Sequence, residues 1–153
     1  MSSPRAFINS SSARGFTLLE ILLVTGLLSL LGGIGIFVGL NSYRTGLFRS
    51  ERDTVVGLLW EARGRALNNV DEAPHGLKIS DAGYTVFEGG SYATRVPAQN
   101  ETTPVNSSFG HSGLDEVVFS QLSGSVGVPG VISLTDGSRS FDITINHEGG
   151  IDW

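Results

Sequence analysis

The chain has 153 residues, with 10 lysines and arginines against 15 aspartates and glutamates and a formal net charge of −5. That length allows one small domain beside an apolar segment. Without cysteine there is no disulfide framework, thiol nucleophile or thiolate metal site, and the acidic balance argues against a broad basic face for nucleic acid.

Residues 1–15 read as a Ser-rich leader with Arg5, Arg14 and no acidic residue, ending in Gly15. Without it the balance is 8 basic residues against 15 acidic. The next segment, 16–40, is a nearly unbroken apolar run of 25 residues, Phe16 to Leu40. That is enough to cross a bilayer as a somewhat tilted helix. A secretory signal peptide is cut after its apolar stretch. Here the small residue comes first, so a cut between Gly15 and Phe16 keeps the run as the new N-terminus. No A-x-A site follows at Gly39-Leu40-Asn41-Ser42. The positive-inside rule places the leader in the cytoplasm and the C-terminal part outside it.

One carboxylate, Glu20, interrupts the start of the run. A charge inside a membrane segment is costly and is usually paired. Thr25, Ser29 and Gly33 recur every four residues, and Gly35 and Gly39 form a GxxxG. Small residues on one face let helices approach closely in lipid.

Segment 41–72 reads as an amphipathic continuation of the same helix. Phe48, Val55, Leu59, Ala62 and Ala66 step along one face. Arg44, Arg49, Arg52, Asp53, Arg63 and Arg65 occupy the other side. Asn68-Asn69, Asp71 and Pro74 supply a stop. The apolar face needs a cover.

From 73 to 153 the period becomes two. Gly76–Ile79 and Tyr84–Phe87 flank a hairpin signal, Asp81-Ala82-Gly83. Val117–Phe119, Val131–Leu134 and Phe141–Ile145 follow, the last two joined by Asp136-Gly137. Phe141, Ile143 and Ile145 point one way, and Asp142, Thr144 and Asn146 the other. The expected class is α+β: a long N-terminal helix packed on a small antiparallel β-sheet. The polar stretch between Gly89 and Gly113 reads as a long loop.

The junction Arg14-Gly15-Phe16-Thr17-Leu18-Leu19-Glu20 resembles the type IV prepilin signature. Leu59-Trp60-Glu61-Ala62-Arg63-Gly64-Arg65-Ala66 is similar to the "L-x-x-A-R-x-x-A" helix of GspH/FimT-type pseudopilins and minor pilins. The β-rich end, with Ile143–Asn146 and Gly149-Gly150-Ile151, fits the same group. The resemblance touches most of the mature chain. One departure is that 16–40 lacks the helix-bending proline of many major pilins; the cluster Gly32, Gly33 and Gly35 would serve instead.

The resemblance implies cleavage by a prepilin peptidase between Gly15 and Phe16 and methylation of the Phe16 amine. It implies a pilin-like fold and residence in the cytoplasmic membrane as a single-pass protein. Extraction into a filament follows, with an inner-membrane assembly platform and other pilin or pseudopilin subunits as partners. Glu20 would meet the Phe16 amine of a neighbouring subunit and set register. The filament is a type II secretion pseudopilus or a type IV pilus; the residues do not separate them.

No catalysis and no cofactor are expected. His75, His111 and His147 lie far apart in sequence, without acidic neighbours at ligand spacing, and no metal site is expected. No nucleophile elbow or phosphate loop occurs. Trp60 and Trp153 read as core or edge packing. The alternative function is a membrane-anchored exported binding module that does not polymerise.

Overall fold

The computed structural model describes residues 15–105 and 108–153, without the side chains of 36–38, 40 and 41. Apart from Gly15, the leader therefore lies outside the described residues. The class is α+β. Among the described residues, one long helix, α1 (Leu18–Leu67), precedes eight strands. The chain divides into two compact units between Ser42 and Tyr43.

In the first unit, Leu18–Gly35 has a mean hydropathy of 2.1, and none of it is buried within the chain. At 1.5 Å per residue these 18 residues span roughly 27 Å, close to a bilayer's hydrocarbon thickness. Helix continues through Gly32–Gly35, although each glycine costs about 1 kcal/mol relative to alanine.

The second unit begins on the amphipathic half of α1. All five residues of the expected apolar face, Phe48, Val55, Leu59, Ala62 and Ala66, are buried. The helix ends at Leu67, inside the 41–72 segment. Asn69 then adopts φ 55, a left-handed conformation that asparagine tolerates. A 3₁₀ turn at Val70–Glu72 leads into the strands.

The strands are β1 (His75–Ser80), β2 (Gly83–Glu88), β3 (Glu101–Thr103), β4 (Gly110–Gly113), β5 (Glu116–Phe119), β6 (Gly130–Thr135), β7 (Ser140–Ile145) and β8 (Ile151–Asp152). The expectation of a single sheet is corrected. There are two four-stranded sheets, ordered β3-β2-β1-β5 and β4-β6-β7-β8. Every pairing within them is antiparallel. The chain crosses between sheets at Leu114-Asp115, where Leu114 N–H donates to Val131 O (2.9 Å) and Ile79 N–H to Asp115 O (2.8 Å). Alternation shows which side of a strand is buried but not which sheet it joins.

The stretch from Gly89 to Gly113 also differs from a plain loop. It holds two 3₁₀ turns, Tyr92–Thr94 and Pro97–Gln99, and the short strands β3 and β4. β3 is polar and pairs with β2 at the sheet's edge. A Thr85–Thr102 hydroxyl pair at 3.0 Å supplements that pairing.

One apolar core joins the helix face to Leu77, Ile79, Tyr84, Val86, Val117 and Phe119 of one sheet and Ile132, Leu134, Ile143 and Ile145 of the other. Polar ties fix the helix over it. The buried Tyr84 hydroxyl donates to Glu51 Oε1 (2.7 Å). Burial, then the Glu51 carboxylate, raises this phenol above its ordinary range. Arg65 bridges Glu61 on the helix and Glu101 on β3. Trp60 and Trp153 are exposed.

The L-x-x-A-R-x-x-A motif now has a physical account. Leu59, Ala62 and Ala66 enter the core. Arg63 Nη2 donates to the Glu148 carbonyl (3.1 Å) in the β7–β8 turn. Asn146 organises that turn, its Oδ1 accepting from Gly150 N–H (2.6 Å). Gly149 sits at φ +76, where a Cβ would stand 1.9 Å from Gly124 O. Only glycine suits both demands.

Candidate functional site

The site begins where the apolar helix starts. Gly15, Phe16 and Thr17 precede α1 in irregular, exposed backbone. Phe16 is 77% exposed, so nothing among the described residues shelters this junction. A Cβ built on Gly15 meets nothing within 4 Å. Among the described residues, nothing crowds this position into being glycine.

Thr17 caps the helix. Its Oγ1 accepts from the Glu20 backbone N–H at 3.1 Å, satisfying one of the free donors of the first turn. Thr17-Leu18-Leu19-Glu20 has the spacing of a capping box. The signal for this cap in the sequence is Thr followed three residues later by Glu before an apolar run. The Glu20 carboxylate lies in the first turn, where the positive end of the helix dipole favours it. It is exposed, and among the described residues it forms no ion pair within the chain. A charge placed in an apolar segment without an internal partner can be paired from outside.

The small residues are arranged to the same effect. Thr25 Oγ1 donates to the carbonyls of Ile21 (2.8 Å) and Leu22 (3.1 Å), and Ser29 Oγ to that of Thr25 (2.8 Å). Both hydroxyls are satisfied by their own helix, which suits them to lipid. Cβ atoms built on Gly33, Gly35 and Gly39 meet nothing within 4 Å. At 100° per residue, Thr25-Ser29-Gly33 and Gly35-Gly39 form two stripes about 100° apart. The structure thus gathers Gly15, Phe16 and Glu20 at one helix end and displays the small residues as two open stripes. Among the described residues, nothing packs against them.

The histidines require a correction. His75 is not isolated from acidic groups. It opens β1 opposite Glu88, and Asp71 lies in the preceding 3₁₀ turn. One ligand atom from each of the three lies within 4.8 Å of the others. Asp71 stands four residues before His75, which is the trace of this cluster in the sequence.

Comparison with protein-family models, curated proteins and solved structures found no match. The chain is thus an α+β protein with a single N-terminal helix, among the described residues, long and apolar enough to cross a membrane.

Proposed function

We propose that this chain is a minor structural subunit of a type IV pilin-like filament, of the GspH/FimT type. A prepilin peptidase cleaves it after Gly15, and the Phe16 amine is methylated. Its apolar half-helix anchors it in the cytoplasmic membrane, with the β domain outside, until it joins the filament. The observation that carries this reading is the helix start. An exposed Gly-Phe junction stands directly before a Thr17-capped helix whose lone early carboxylate, Glu20, has no internal counter-charge among the described residues.

The mechanism is electrostatic matching. Cleavage creates a cation on Phe16. In a bundle of such helices, each Glu20 pairs with the amine of a neighbour, and a mismatched subunit leaves a charge unpaired in a low-dielectric setting. The small-residue stripes allow the close approach this needs. The subunit contributes no catalysis; work on the filament belongs to a separate motor. Whether the filament is a secretion pseudopilus or a pilus is decided by the neighbouring subunits that co-purify with it.

Gly15→Val tests the processing step. A Cβ at this position meets nothing among the described residues, so folding and insertion are expected to be retained. Cleavage is expected to stop, because the peptidase must approach the backbone closely at that glycine. The check is migration on a gel: a Gly15→Val protein of mature size contradicts the assigned cut.

A further inference from the structure

We propose that Asp71, His75 and Glu88 bind one divalent transition-metal ion, with zinc as its representative. The site is independent of the filament reading. It arises from register: His75, the first residue of β1, is the direct antiparallel partner of Glu88, the last residue of β2. Directly opposed residues project to the same face of a sheet. Asp71 approaches from the 3₁₀ connector between α1 and β1. Ligand atoms of all three lie within 4.8 Å of one another.

The imidazole is set up as a ligand. His75 is only 2% exposed, and its Nδ1 lies 3.1 Å from the Ala73 carbonyl oxygen. A carbonyl can only accept, so Nδ1 carries the proton and Nε2 keeps its lone pair. Metal-bound histidines are commonly oriented in this way, by one ring N–H on a backbone carbonyl. Among the described residues nothing hydrogen-bonds Nε2.

The charge balance points to a cation. Two carboxylates face one imidazole, and among the described residues no lysine or arginine forms an ion pair with either. One nitrogen and two carboxylate oxygens form a borderline donor set, suited to zinc with water in the fourth position. Tetrahedral zinc holds such donors at about 2.0–2.2 Å, hence roughly 3.4 Å from one another. Asp71 is exposed and Glu88 half-buried, so both have room to close by that amount. The bound ion would clamp the connector to the first hairpin and so stabilise the β domain.

The test uses the full-length protein in detergent micelles, stripped with a chelator and titrated with Zn²⁺ in a calorimeter. One ion per chain and a higher thermal midpoint are expected. Asp71→Asn and Glu88→Gln keep side-chain size and remove a ligand charge; each is expected to weaken binding by about tenfold or more. His75→Ala is expected to abolish it, but loss of a buried side chain can unfold the domain, so the Asn and Gln variants carry the decision. His111→Ala and His147→Ala are expected to bind as wild type. The proposal is overturned by absence of saturable zinc uptake, by uptake unchanged in Asp71→Asn and Glu88→Gln, or by uptake that depends on His111 or His147. A site that takes Ca²⁺ and ignores Zn²⁺ also overturns it, since the imidazole then has no part.

Discussion

Replacing Glu20 with leucine is expected to leave membrane insertion and cleavage intact while reducing co-purification with neighbouring subunits by about a hundredfold or more. Insertion should not suffer, because removing a charge from an apolar helix lowers its transfer cost. The helix start should survive too. The bond to Thr17 Oγ1 comes from the residue-20 backbone N–H, which leucine retains. Cleavage should survive as well, because the proposed site, Gly15 and Phe16, is unchanged. Assembly alone should suffer: in the proposed filament the Phe16 amine would be buried without its counter-charge, and breaking a buried pair costs roughly 3–5 kcal/mol. Glu20→Gln should fall between, since it accepts a hydrogen bond but carries no charge. A minor subunit is a small part of any filament, so crosslinking or co-purification is a better readout than filament yield. A cleaved Glu20→Leu protein recovered with its neighbours at the wild-type level would leave Glu20 as an interfacial carboxylate only.

The second large effect concerns the domain. A fragment beginning at Tyr43 is expected to be soluble without detergent, because the apolar face of its helix is covered by the two sheets. Its circular dichroism should mix helix and strand. Within it, Leu59→Ala is expected to cost about 2–5 kcal/mol, the usual penalty for emptying a fully buried leucine site. Arg49→Ala, on the exposed side, should stay within about 0.5 kcal/mol. Urea unfolding of the two variants is the check. A Leu59→Ala loss below about 1 kcal/mol would mean that the helix face does not bear on the core as described.

The long elements were legible because burial imposes a period. Phe48, Val55, Leu59, Ala62 and Ala66 could be placed on one helix face from spacing, and all five are buried. β7 alternates between exposed and covered residues as its sequence suggests. The short strands β3, β4 and β8 were not read as separate strands. Glu101-Thr102-Thr103 and Gly110–Gly113 carry no apolar alternation, and they become strands only through the neighbours that hydrogen-bond them. The division into two sheets was hidden for the same reason, since pairing is a long-range property. His75 shows the limit most clearly. Its distance along the chain from Glu88 concealed a cross-strand pair that register alone creates. At the helix start, Gly15, Phe16 and Glu20 could be singled out by residue type, whereas Thr17 was recognised only from the hydrogen bond it accepts.

In the proposed function, Phe16 becomes the methylated first residue of an assembling helix. Intact-mass and peptide mass spectrometry of the protein isolated from its native membrane tests it most directly. A chain that begins at N-methyl-Phe16 and lacks residues 1–15 is expected. A chain that retains its leader, or begins at any other residue, would contradict it.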